Sequence, residues 1–301
     1  MKTSLLITAL FVVAILMSFT AEKKPSSKEA KKALNGFCSY VPSGSVVIDN
    51  DTTTVQAFYM STTEVTNLQY KEFLIDLKKK GELEKLQIAN IDSMLWNTSF
   101  GWENNGFKDY YHNHPAYHDY PVVNITKEAA ELYCEWLTEK YRVASGGELS
   151  LKFRIPTRAE WMRAARGNDH SSIYSWEGPF LRNDKGLVLA NHLQIGTQNL
   201  TRNLETGEIE FVDKSRRIYG YSSEDGADVT APARSYWPNQ YGFYNMNGNV
   251  SEMISDGDQA VGGDWYSPGF DIRNESVKEF KEAHPTVGFR VVTSHLVTTE
   301  H

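Results

Sequence analysis

The sequence predicts an α+β domain that is coil-rich, with few short strands and about three helices, and three observations predict it. Helix signatures crowd the chain ahead of Gly167, where Thr66 with Gln69 and Thr157 with Glu160 have the spacing of capping boxes. Past Gly167 the strand candidates are short and separated by stretches without periodicity. Between them, Ala231 to Asp256 mixes aromatics (Tyr236, Trp237, Tyr241, Phe243) with turn formers, then sets Asn245, Asn247 and Asn249 around Gly248. Neither a helix nor a strand tolerates that mixture, because Asn and Gly supply positive φ and the rings must anchor a loop.

In chain order, residues 1–21 have the form of an export signal: Lys2, the apolar run Leu5 to Met17, then small residues, with cleavage expected after Ala21. The run is too short to span a bilayer comfortably, so membrane contact is expected only through an uncleaved signal or a partner. Lysine-rich residues 22–36 read as a flexible tether. A single domain is expected over 37–295, followed by a tail, 296–301. Strand-like residues are expected over Phe37 to Gly44, where the domain begins, followed by Val46 to Ile48 and a further short strand from Val55 to Met60. Thr66 opens a helix that buries Leu68, Phe73, Leu74 and Leu77 and stops at Gly81. Residues 82–120 read as irregular, and Tyr120 to Ile125 as a short buried strand. Thr126 caps a second helix, with Ala130, Tyr133, Leu137 and Tyr141 inward, and Thr157 a third, with Trp161, Ala164 and Ala165 inward. Later strands are expected at Glu208 to Val212 and Gly288 to Val292.

The formal charge of -7 argues against nucleic acid as a partner. Cys38 and Cys134 are the two cysteines; one disulfide or two buried thiols both satisfy the sequence. His112, His114 and His118 form a cluster with neither helical spacing nor a neighbouring cysteine, which suits a polar loop better than zinc. Asn-x-Ser/Thr triplets at Asn97, Asn124, Asn199, Asn249 and Asn274 are expected to be chance.

The stretch Pro238 to Glu252, together with Arg154 to Gly167, Val261 to Trp265, Val287 to Arg290 and Thr63 to Asn67, resembles the formylglycine-generating enzyme family, also called sulfatase-modifying factor domains. The resemblance implies the formylglycine-generating fold, distantly C-type-lectin-like. It also implies structural calcium, held at one site by Asn245, the carbonyls of Gly248 and Val250, and Glu252, and at a second by Asn191, His192, Asp225 and Ala227. Hard oxygen donors of this kind suit Ca²⁺, while the same Asn and Asp side chains also serve to bond their own turns.

Enzymes of this family oxidise a substrate cysteine with two copper-binding cysteines. Their positions correspond here to Ser267 and Ile272, so copper is not expected. The expected cleft comprises Ser251, Met253, Asp264, Trp265, Ser267 and Arg273, and no catalytic residue is assigned. The segment His114 to Val123 is similar to one in gliding-motility and type IX secretion lipoproteins of this fold. That similarity implies an exported component of a bacterial periplasm or outer envelope, working with envelope proteins. A divergent sulfatase-maturing oxidoreductase is the alternative, and sugar binding around Trp265, Tyr266 and Arg273 a third.

Overall fold

The computed structural model describes residues 26–100, 106–194, 200–211, 227 and 229–294. The expected signal 1–21, the expected tail 296–301, Asn199 and Asp225 lie outside the described residues. The first element corrects an expectation. Ser27–Phe37 forms helix α1 where the lysines suggested a tether. Ala30, Leu34 and Phe37 recur at helical spacing and are buried, and the N–H of Ser26 donates to the carbonyl of Ala144 at 3.0 Å.

Strands β1 (Cys38–Val41), β2 (Gly44–Ile48), β3 (Asp51–Val55) and β4 (Phe58–Ser61) follow. Helix α2 (Asn67–Lys80) begins at the Thr66/Gln69 capping box and ends at Gly81, whose φ of 71° is the left-handed stop the sequence calls for. Its buried stripe is Asn67, Tyr70, Phe73 and Leu77; Leu68 and Leu74 are half-buried. The stretch expected to be irregular contains α3 (Leu83–Ile88), α4 (Leu95–Thr98), α5 (Phe107–Tyr110) and a 3₁₀ turn at Pro115–Tyr117. These helices are one turn or slightly longer and carry no capping box, so nothing local announces them. With α6 (Lys127–Ala144) and α7 (Arg158–Arg166), seven α-helices are described rather than about three. Helices α6 and α7 bury the faces expected of them, and α7 starts at the Thr157/Glu160 capping box.

Strand β5 (Phe153–Arg154) joins β1 and β4 in one antiparallel sheet of order β1-β4-β12-β5, with β12 at Val292–Ser294. A second sheet has the order β10-β9-β8-β11, from β8 (Ser251–Met253), β9 (Gln259–Val261), β10 (Val277–Glu279) and β11 (Val287–Gly288), and only its β8–β11 pair is parallel. Hairpins β2–β3 and β6 (Leu200–Arg202)–β7 (Ile209–Phe211) stand apart from both sheets. Tyr120 to Ile125 is not a strand. Pro121 makes a single bridge to Thr66, and Asn124 at φ 62° turns the chain before a ladder can form.

The main core joins α1, α2 and α6 to the back of both sheets through Phe73, Tyr133, Met253 and Phe289. A second core packs Trp161 of α7 against Met246, Ile254 and Val261. A third is largely aromatic, with Trp96, Tyr111 and Trp265. Cys38 and Cys134 are free thiols buried in the main core, and burial pushes both well above the usual thiol range. Asn124, Asn249 and Asn274 have no solvent exposure, which leaves no room for a glycan on any of them.

Candidate functional site

The loop before β8 is shaped by left-handed residues. Asn245, Gly248 and Asn249 have φ of 51°, 78° and 64°. At Gly248 the requirement is steric as well, since a Cβ there would lie 2.3 Å from the Asn191 carbonyl oxygen. Amides fasten this stretch together with the Phe243 ring, which sits in the second core with Tyr241 packed against it. Asn239 donates to the end of α7 at the Ala164 carbonyl (2.8 Å), and Asn247 donates to the Ile272 carbonyl (2.7 Å). Of the four aromatics expected to anchor it, Phe243 is buried, Tyr236 and Tyr241 are half-buried, and Trp237 is 54% exposed.

Two buried carboxylates lie beneath the loop. Glu252 on β8 receives both its oxygens' partners from Arg290, and Trp161 Nε1 adds a bond of 2.7 Å. Neither Glu252 nor Arg290 has any side-chain exposure. Glu64 accepts from Asn249 Nδ2 at 2.8 Å and from Asn245 Nδ2 at 3.4 Å. Burial pushes Glu64 up to about 8, against the pull of Arg290.

The first expected calcium set can be judged against this geometry. Asn245 Oδ1 is a buried oxygen with no hydrogen-bond partner, as a ligand atom would be. Glu252, the charged member, is already neutralised by Arg290, so as arranged the set does not fit: it offers calcium no unpaired carboxylate. Gly248 and Val250 contribute neutral carbonyls alone. In the second set, Asn191 Nδ2 is spent on the Val229 carbonyl (2.7 Å) and Asn249 Oδ1 (3.2 Å), and Nδ1 of His192 on the Ala190 carbonyl (2.9 Å). The side-chain oxygen of Asn191 and the carbonyls of His192 and Ala227 are the donors among the described residues that calcium would take there.

The expected cleft residues divide into two groups. Met253 belongs to the main core and has no solvent exposure. Trp265 is 5% exposed, packed against Trp96 (6.4 Å between rings) and Phe100 (5.2 Å), so its indole cannot stack on a sugar. Ser251 and Asp264 are buried and bonded to one another at 2.8 Å. Ser267 and Arg273 reach the surface as half-buried side chains.

Asp264 brings in partners the sequence did not disclose. Lys278 Nζ donates to Asp264 Oδ2 at 2.5 Å and to Thr286 Oγ1 at 2.8 Å. Thr286 Oγ1 lies 2.8 Å from His284 Nδ1, and the Thr286 N–H donates to the same nitrogen at 3.3 Å. Nδ1 therefore serves as an acceptor, and the Thr286 hydroxyl donates a hydrogen bond to it while accepting one from the Lys278 ammonium. Burial first, and Lys278 second, lower the pKa of His284. A continuous polar chain thus runs from Ser251 through Asp264, Lys278 and Thr286 to His284, walled by Phe100 and Tyr266.

The model of the sulfatase-modifying factor enzyme 1-like domain matches residues 23–295. The chain belongs to this family. It is 26% identical to the formylglycine-generating enzyme of Bos taurus over 222 residues, 67% of this chain and 49% of the relative. It is 28% identical to the inactive C-alpha-formylglycine-generating enzyme 2 of Bos taurus, over 48% of this chain and 35% of the relative. The chain thus spans about half the length, or less, of these curated relatives. Among solved structures, PvdO from Pseudomonas aeruginosa is similar with a TM-score of 0.51 at 19% identity, covering 85% of this chain and 93% of that one. CarF gives a TM-score of 0.50 at 21% identity, covering 86% of this chain and 98% of its own. These likenesses show the sulfatase-modifying factor fold, which is the fold expected from the sequence.

Ser267 and Ile272, the positions that the resemblance sets against the copper cysteines, carry no sulfur. Ile272 has no exposure and packs in a small core with Tyr174 and Ala190. Ser267 gives its carbonyl to the N–H of Leu193 at 2.9 Å. The chain's own thiols, Cys38 and Cys134, sit in the main core, a different cluster from Ile272.

Proposed function

We propose that the chain is a non-catalytic sulfatase-modifying-factor-like protein, exported to a bacterial periplasm or outer envelope, where it acts as an assembly or interaction component of gliding or secretion machinery. The observation that carries the first part is Ile272. A fully buried aliphatic side chain stands where a copper thiolate is needed, and the pKa of both native thiols is raised by burial in a separate core. The Asp264–Lys278 pair supports it, because an ammonium ion held at 2.5 Å repels a second cation from the same neighbourhood. The likeness to an inactive formylglycine-generating enzyme 2 points the same way. Export and the envelope partners rest on the apolar run Leu5 to Met17 and on the His114 to Val123 segment.

Incubation with a Cys-x-Pro-x-Arg peptide, copper and oxygen is expected to yield no aldehyde by mass spectrometry. Aldehyde formation would establish the alternative, a divergent sulfatase-maturing oxidoreductase. Calcium belongs to the proposal at the second set, Asn191, His192, Asp225 and Ala227. Adding a chelator is then expected to lower the melting temperature of the purified chain, with calcium restoring it. Identical melts with chelator and with calcium would remove the ion from the proposal.

A further inference from the structure

Leu193 pairs with Pro268 through one parallel β-bridge, which brings loop 181–194 against loop 267–270 beside Ser267. An open cavity of about 330 Å³ lies between them. Leu181, Val188 and Leu193 give it apolar walls, and Gly269 lets Leu181 come close, since a Cβ at 269 would lie 2.2 Å from Leu181 Cδ1. Phe270 also lines the cavity and is 66% exposed.

Two guanidinium groups accompany this apolar surface. Arg273 lies over the Phe270 ring, 3.4 Å from its centroid, and its Nε donates to the Phe270 carbonyl at 2.9 Å. Arg182, a lining residue, donates to the Gly186 carbonyl (2.9 Å) and to Gln194 Oε1 (2.8 Å). Arginines already oriented in this way lose little freedom when they take a carboxylate. Exposed aromatics and arginines are also the residue types that carry most binding energy at protein interfaces. The volume is at the bottom of the range of about 300–1,000 Å³ for small-molecule sites, which suits one side chain rather than a whole cofactor.

We propose that this cavity receives a large apolar side chain from an extended partner peptide whose neighbouring carboxylates are held by Arg182 and Arg273. The proposal rests on the non-catalytic reading above and specifies the chemistry of the partner.

The full chain is titrated against labelled peptides Gly-Ser-Asp-Phe-Asp-Ser-Gly, Gly-Ser-Lys-Phe-Lys-Ser-Gly and Gly-Ser-Asp-Ala-Asp-Ser-Gly, with fluorescence anisotropy as the readout. The Asp-Phe-Asp peptide is expected to bind about tenfold more tightly than either control. Phe270→Ala is expected to weaken it about tenfold and Arg182→Glu about fivefold. Both side chains are exposed, so each variant is checked for an unchanged melt before titration. Equal binding of the lysine peptide, an affinity unmoved by Phe270→Ala, or no binding of any peptide would each overturn the proposal. So would displacement of the bound peptide by decanoate with equal affinity in Arg182→Glu, which would mark a lipid-chain site. Failure of peptide binding without aldehyde formation removes this inference alone, whereas aldehyde formation removes the reading beneath it.

Discussion

Replacing Arg290 by methionine is expected to lower the stability of the domain by about 3–5 kcal/mol, because it leaves a buried carboxylate without its counter-ion. Arg290 is fully buried and reaches three parts of the fold at once. It neutralises Glu252 on β8, donates to the Ser61 carbonyl of β4 (3.1 Å), and donates to the Tyr244 carbonyl of the asparagine loop (3.0 Å). Without it, Glu252 keeps the Trp161 indole but faces Glu64 with no cation between them. Urea denaturation measures the loss as a shift of midpoint at constant slope. The double variant Glu252→Gln/Arg290→Met is expected to recover part of the loss, since it removes the stranded charge. A single variant that melts with the wild type would show that the pair does not hold the two sheets together.

The second large effect is expected at Gly248. Substitution by alanine there combines a strained left-handed backbone with a Cβ 2.3 Å from the Asn191 carbonyl, itself fixed by the Asn249 N–H. Strain and overpacking together are expected to cost about 2–4 kcal/mol. Gly242→Ala separates the two contributions. Gly242 has φ 85° but nothing within 4 Å of its Cβ position, so strain alone acts there, at about 1 kcal/mol. Equal losses at 242 and 248 would mean that the approach of the two loops is not tight in solution.

What the sequence disclosed, and what it withheld, follows from the range of the interactions. The capping boxes at Thr66 and Thr157 are written within four residues, and both helices start where those residues place them. The positive φ of Asn245, Gly248 and Asn249 is likewise a local property of Asn and Gly. Helix α1 was legible in principle through Ala30, Leu34 and Phe37, but the lysines between them hid the stripe. Lys278, Thr286 and His284 gave no signal, since Lys278 reaches Asp264 from 14 positions away and Thr286 from eight, spacings that no single element brings together. The same holds for Glu64, which meets Asn249 from 185 positions away. Glu252 is a metal ligand by the family resemblance alone; only the fold reveals that Arg290 occupies its carboxylate.

The tie between Ser26 and Ala144 also governs how the molecule would respond to traction. A pull applied at residue 26 would load the end of α6 directly and enter the helical core through α1. Such a joint transmits force instead of damping it.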